Sequence, residues 1–391
     1  MAKNTLHDLQ MLQSLPLGVK VAKTKLRIKE WIDRYGEDGV YISFSGGKDS
    51  TVLLHIARQM YPNLKAVFVN TGLEYPEIVQ FVKTFDNVDW LRPKMNFKEV
   101  VEKYGFPFIS KEVSGCVDGA REYIKILTDR QTDRQTDRQI PWAYKYRQLT
   151  GQGEYRRGGT TASIVNLEEL ESIARNPKTP WRFKAVMGTL AKSRYNCERY
   201  KFFLNAPFKI SSKCCDVMKK RPAHSYNRKT GRKPITAQMA CESGLRTRNW
   251  IQNGCNGFEM KSPISNPMSF WTEQDVLLYI KLNDTEIASV YGDVVEDYAG
   301  QGQVENQMSL AEFGIFDNER PLLKTTGCSR TGCMFCGYGC HLEKSPNRFE
   351  RMKETHPKQY DYIMRPTEQG GLNYKKVIDW INQNGNMNIK Y

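Results

Sequence analysis

Hydrophobic and polar positions follow two rhythms along the first hundred residues. Residues 5–35 carry Leu9, Leu12, Val19, Val21, Leu26, Ile28, Trp31 and Ile32 as a broken stripe at helical spacing, which predicts helix. The apolar run Val40-Tyr41-Ile42 then suits a buried parallel strand, and Val52, Leu53, Leu54, Ile56 and Ala57 suit a packed helix after it. Residues 64–69 predict a second strand, 78–85 a helix, Val88–Leu91 a third strand and Phe97–Tyr104 a short helix. Strands alternating with helices imply an α/β fold, a doubly wound, Rossmann-like parallel sheet. Such sheets bind nucleotides at the carboxyl ends of their strands.

The pattern then weakens. Residues 128–139 are three copies of Thr-Asp-Arg-Gln, balanced in charge with nothing apolar to bury, and read as an exposed helix or loop of little functional weight. Residues 150–180 are rich in Gly, Arg, Asn and Pro around one helical patch, Leu167–Ala174, and read as an insertion or linker. Further on, 234–239 suits a late strand, and 271–282 a helix with Thr272 as N-cap. Residues 292–320 read as a polar loop excursion, 327–341 as a cysteine-rich turn, and two helices near 356–364 and 374–383 close the sequence. The expected organisation is a helical segment over 1–36, a nucleotide-binding α/β domain over 37–290 with an insertion near 128–180, and a cysteine-rich region with closing helices over 291–391.

The chemistry starts at residues 43–51, Ser-Phe-Ser-Gly-Gly-Lys-Asp-Ser-Thr, on the predicted strand-to-helix turn. Backbone N–H groups and a helix N-terminus form an anion site there, and Gly46 and Gly47 let phosphate approach the main chain. The P-loop pattern fails, because Asp49 follows the lysine where Ser or Thr is required. What matches is Ser-Gly-Gly-x-Asp-Ser, the pyrophosphatase loop or PP-loop, whose enzymes split ATP between the α and β phosphates or hold an adenylated nucleotide. An ordinary glycine turn is the bland alternative.

Composition adds two facts. With 391 residues, 40% hydrophobic and 26% charged, a globular core is expected; no apolar run approaches a membrane span and the first residues lack an apolar signal core, so a cytoplasmic protein is expected. The net charge of +15 is uneven: residues 181–248 hold 17 Lys and Arg against 3 Asp and Glu, interleaved with Trp181, Phe183, Tyr195, Tyr200, Phe202, Phe203, Phe208 and Tyr226. That composition suits a polyanion, a nucleic acid (tRNA or DNA) or a phosphorylated nucleotide, with a solvated basic face as the alternative.

Ten cysteines in a chain expected to be cytosolic point to metal, cluster or redox chemistry rather than disulfides. Cys214 and Cys215 are adjacent, and Cys333 and Cys336 form a Cys-x-x-Cys, with 117 residues between the pairs. Thiolates suit zinc or iron–sulfur clusters, and Cys328 and Cys340 are spare candidates, so spacing alone leaves the set of four open. Cys116, Cys197, Cys241 and Cys255 are scattered and read as packing residues.

Ser-Gly-Gly-Lys-Asp-Ser, then Cys-Cys, then Gly-Cys-x-x-Cys, is an order similar to that of the PAPS reductase family, which includes adenylyl-sulfate (APS) reductases and the sulfurtransferase-like enzymes of DNA phosphorothioation. Three further segments resemble the same family: Asn70-Thr71-Gly72-Leu73-Glu74-Tyr75-Pro76-Glu77, Glu242-Ser243-Gly244-Leu245-Arg246-Thr247-Arg248, and Pro267-Met268-Ser269-Phe270-Trp271-Thr272-Glu273-Gln274-Asp275-Val276. The resemblance spans roughly 38–340 and implies the adenine nucleotide α-hydrolase type of sheet. It implies a [4Fe–4S] cluster on Cys214, Cys215, Cys333 and Cys336, with zinc as the alternative. One departure stands out: the family's reductases carry a nucleophilic cysteine near the C-terminus, and here no cysteine follows Cys340.

The leading expectation is a PP-loop enzyme of sulfur chemistry that takes ATP or adenylyl sulfate and adenylates an acceptor for sulfur transfer, with a sulfur-donor protein as a further partner. Ser43, Ser45, Gly46, Gly47 and Ser50 would hold the phosphates, Lys48 would offset their charge, and Asp49 would orient Mg²⁺ or the loop. Asn70, Thr71 and Gly72 would border adenine or ribose, and Arg246 and Arg248 would clamp a second anion, or serve structural ion pairs. The alternatives are an APS or PAPS reductase with Cys340 as nucleophile, and a non-catalytic nucleic-acid-binding protein with structural zinc.

Overall fold

A computed structural model of the chain describes residues 4–129, 167–190, 193, 195–297 and 321–391. Most of the Thr-Asp-Arg-Gln repeats, the start of the expected insertion and most of the 292–320 segment lie outside these described residues. In chain order the strands are β1 (Val40–Ser43), β2 (Ala66–Val69), β3 (Val88–Leu91), β4 (Phe108–Ile109), β5 (Lys233–Ile235), β6 (Asn256–Gly257), β7 (Ile264–Ser265), β8 (Val294–Asp297), β9 (Leu322–Thr325) and β10 (Gly337–Tyr338). The chain forms two compact units, each made of two separate stretches.

The first unit, Met1–Lys94 with Lys219–Cys333, holds the large sheet, in the order β3-β2-β1-β5-β7-β6. All its pairings are parallel except β6 with β7. Val40, Tyr41 and Ile42 are buried, as a central parallel strand covered by helices requires. The chain runs outward from β1 through β2 to β3 and returns on the other side of β1 with β5. The strand order therefore reverses between β1 and β5, and ligands of doubly wound sheets bind at that point.

Helices follow from sequence signals. The expected stripe over 5–35 divides into Leu6–Gln13 and Leu17–Tyr35 at Pro16, the N-cap of the second helix. Ile28 and Trp31 on Leu17–Tyr35 are wholly buried in the core with Val52, Leu53, Phe68 and Trp271. Thr272 caps Glu273–Leu282 as expected, in a reciprocal pair with Asp275. Two expectations are corrected. The late strand is Lys233–Ile235 rather than 234–239, because it meets β7 at one residue pair and then leaves the sheet. Val294–Asp297, expected in a loop, is a strand paired antiparallel with β9, a non-local partner that a polar local pattern conceals.

The second unit, Met95–Met218 with Met334–Tyr391, is mainly helical around the short parallel pair β4 and β10. Phe106, Phe108, Phe349 and Tyr374 pack ring against ring, and the Tyr374 hydroxyl donates to the Phe335 carbonyl at 2.6 Å. Besides the two expected closing helices, Pro357–Met364 and Tyr374–Gly385, a third runs over Arg348–Thr355. Its charged sequence buries only Phe349 and Met352, too few to announce it by stripe. Among the described residues no helix is long and apolar enough to cross a membrane.

Candidate functional site

The Ser-Gly-Gly-Lys-Asp-Ser loop leaves the buried strand β1 and enters the Lys48–Met60 helix with Gly47 as N-cap. Gly46 adopts φ +70°, and a Cβ there would lie 2.8 Å from the methyls of Ile78 and Val82. This glycine is therefore required by the fold. Gly47 has an ordinary φ of −77°, and its missing side chain leaves room beside Ser45 Oγ and the Tyr291 hydroxyl, each 3.3 Å from where a Cβ would stand.

The loop amides point to hydroxyls. Ser45 N–H donates to Ser50 Oγ at 3.1 Å, Gly47 N–H to Ser45 Oγ at 3.3 Å, and Lys48 N–H to the Tyr291 hydroxyl at 3.4 Å. The Gly47 and Lys48 amides are among the donors a helix N-terminus leaves without intrahelical partners, and a phosphate oxygen can replace each hydroxyl. Ser43 is the exposed last residue of β1, just before the loop.

Lys48 is 5% exposed, and its ammonium donates to the Ser329 carbonyl at 2.8 Å and to Glu273 at 3.1 Å, above the Tyr291 ring. The Tyr291 hydroxyl also meets Thr331 Oγ1. Burial pushes the Asp49 carboxyl above its ordinary value, and the charge of Glu273 adds to the rise, while Lys48, Arg330 and Arg246 oppose it. Burial likewise pushes the Tyr291 phenol up to about 12, so it remains a neutral hydroxyl at pH 7.

The expected residues separate into those gathered here and those used otherwise. Arg246 acts on Asp49 electrostatically while forming an ion pair with Glu242 four residues earlier. Arg248 is exposed and donates to the Gly244 carbonyl of its own helix, with no described contact to the loop. Thr71 binds Glu74 through both its amide and its hydroxyl, and Asn70 accepts from Gly72 N–H at 3.0 Å. This closes a turn on the strand next to β1. Sequence reasoning missed Glu273, Tyr291, Ser329, Arg330 and Thr331. Glu273 sits in a motif whose only local signal is a helix start. Residues 329–331 fall within the cysteine-rich turn, and Tyr291 stands at the edge of the polar 292–320 segment.

The cysteines are divided between the units. Cys333 closes the first, whereas Cys214, Cys215, Cys336 and Cys340 belong to the second. There Cys215 adds to the rise that burial imposes on the Cys336 thiol, and the buried Tyr374 hydroxyl is within electrostatic reach of Cys336, Cys214 and Cys340. Soft thiol donors thus share one neighbourhood, chemistry suited to zinc or an iron–sulfur cluster. Yet among the described residues no group of three or more His, Cys, Asp or Glu side chains is placed to hold a metal ion. The donors fit in kind but not in placement.

Cys340 does not suit the nucleophile role. It is 1% exposed, its thiol donates to the Gly337 carbonyl at 2.9 Å, and burial pushes it up to about 12, where thiolate is scarce at neutral pH. Cys116 and Cys197 are buried, as packing residues should be, and the Cys197 thiol donates to the Tyr195 carbonyl at 3.4 Å. Cys255 accepts from Ser269 Oγ at 3.3 Å, and Cys241 is exposed.

Residues 39–133 match the phosphoadenosine phosphosulfate reductase domain family. A stretch of 93 residues, 21% of this chain, is 38% identical to an uncharacterized protein of Methanocaldococcus jannaschii; the match covers 22% of that relative's length. Among solved structures, the phosphate complex of phosphoadenylyl-sulfate (PAPS) reductase from Candida auris aligns with 73% of this chain and 90% of its own. Its identity is 11% and its TM-score 0.33, too loose a likeness to carry an argument.

Proposed function

We propose that this chain is a PP-loop enzyme of sulfur chemistry that binds an adenine nucleotide by its phosphates and activates an acceptor by adenylation. The observation that carries the reading is the loop over residues 45–50. Its amides stand at a helix N-terminus where the strand order reverses, beside a buried lysine and a half-buried aspartate. In the proposed step an acceptor oxygen attacks the α-phosphorus of ATP, the α–β bridging P–O bond breaks, and pyrophosphate leaves with the electron pair. Lys48 offsets the charge that gathers on the leaving pyrophosphate, once its ammonium turns from the Ser329 carbonyl. Mg²⁺ would arrive with the nucleotide, and Asp49 and Glu273 are the carboxylates at hand to meet it.

Reduction of adenylyl sulfate is the weaker reading, because it asks Cys340 to act as a nucleophile from a buried, hydrogen-bonded thiol. A nucleic-acid acceptor is favoured by one element: the Arg221–Thr230 helix buries none of its residues and carries Arg221, Arg228 and Lys229 outward of the sheet core. Pyrophosphate release from ATP, assayed with tRNA, with DNA and without acceptor, tests the reading. Acceptor-dependent release is expected. Sulfite formation from adenylyl sulfate without pyrophosphate release from ATP would replace the proposal by a reductase. Iron and zinc contents of anaerobically purified protein decide separately whether the thiols of Cys214, Cys215 and Cys336 hold a metal.

A further inference from the structure

Within the first unit a cavity of about 260 Å³ lies between the Gly244–Asn253 helix and the chain leaving β5 and β7. Its walls are of two kinds. Trp250, Ile264 and Met260 are apolar, whereas Gln238, Asn249, Asn253 and Asn266 bring four carboxamides. Asn266 accepts from Thr236, and Asn253 donates to the Asn249 carbonyl at 3.1 Å. The side chains of Gln238 and Asn249 make no hydrogen bond to any described residue.

The lining contains one charged side chain, Arg246, already paired with Glu242. A phosphate-bearing ligand would find little cationic charge there. Each carboxamide offers both a donor pair and an acceptor, the pattern with which Asn and Gln read the edge of a nucleobase. The volume is below the roughly 300–1,000 Å³ usual for drug-sized ligands, so one heteroaromatic base with little more fits.

We propose that this cavity is a binding site for a neutral nucleobase or nucleoside, distinct from the phosphate loop. Arg246 connects the two, lining the cavity while acting on Asp49 of the loop. The cavity therefore suits the acceptor side of the reaction; that role, though not the binding itself, rests on the adenylation reading above.

The test is calorimetric titration of the full chain with adenosine, cytidine, guanosine and uridine, and separately with ATP. Wild type, Gln238→Leu, Asn249→Ala and Gly47→Ala are compared, with thermal unfolding as the control for folding; Asn249 is exposed, so its replacement leaves the core untouched. At least one nucleoside should bind, with affinity falling about tenfold or more in the two carboxamide variants, the loss of roughly 1.4 kcal/mol of contact, and unchanged in Gly47→Ala. ATP should show the reverse pattern. Absence of binding by all four nucleosides overturns the proposal. So does nucleoside binding that survives both carboxamide variants and is lost in Gly47→Ala, since the base would then sit in the phosphate-loop site. Loss of ATP binding in no variant would instead fault the phosphate-loop reading and leave the cavity standing.

Discussion

Gly46 and Gly47 are adjacent for different reasons, and their substitutions should separate. Alanine at Gly46 must adopt a left-handed conformation, at about 1–2 kcal/mol, and crowd Ile78 and Val82 by about 1–3 more, so a loss of roughly 2–5 kcal/mol is expected in urea unfolding. Alanine at Gly47 has an ordinary φ and should fold. Asp49 gives a pH signature. Its carboxyl holds a proton more tightly in the folded chain than in the unfolded one, where the ordinary value is 3.8. Stability from this group is therefore present below that value and lost as pH rises towards the raised folded value. Asp49→Asn removes the titration, so its stability relative to wild type should grow with pH across that window, as measured by denaturant unfolding at stepped pH. A difference that does not change with pH would place Asp49 in a solvated, unperturbed setting. At this scale the loop was legible because its residues are contiguous. Tyr291, Ser329 and Arg330 were not, since folding alone brings them to Lys48 and Asp49 from more than two hundred positions away in the chain.

Between elements, the Leu17–Tyr35 and Glu273–Leu282 helices are tied by Lys20 and Asp275 at 2.7 Å, with the lysine 3% exposed at its side chain. Asp275 is also the partner in the Thr272 capping box. Removing it strands a buried ammonium, so Asp275→Ala should cost about 3–5 kcal/mol, against about 1 kcal/mol for Thr272→Ala. Equal losses in the two variants would show the ion pair to be inert. The cap was readable from Thr-x-x-Asp before an apolar run, a local signal. The same signal at Asn347 and Glu350 announces the Arg348–Thr355 helix, which the apolar pattern hid. Strand β8 had no such signal, because its partner β9 lies far along the chain and its own sequence, Val-Val-Glu-Asp, is half acidic.

For the whole molecule, sequence rhythm gave the α/β class and the doubly wound sheet, but not the two units, whose members are joined across long separations at Lys94, Lys219 and Cys333. The basic stretch is partly consumed inside its own unit: Lys219 reaches Glu74 at 3.6 Å, Arg232 reaches Asp38 at 3.8 Å, and Arg246 pairs with Glu242. If the remaining charge meets nucleic acid, binding to tRNA or duplex DNA should fall steeply with salt, and charge reversal at the exposed Lys220, Arg228 and Lys229 should weaken it alike for all sequences, as read by fluorescence anisotropy. Absence of binding to both at low salt would confine the partners to small molecules. The central claim is that the loop over residues 45–50 grips nucleotide phosphates through its main chain. Calorimetric titration of wild type and Gly47→Ala with ATP and with adenylyl sulfate tests it most directly. Wild type should bind at least one of the two, and Gly47→Ala, folded to the same thermal midpoint, should lose that binding by about tenfold or more. Equal affinity in both proteins would contradict the account.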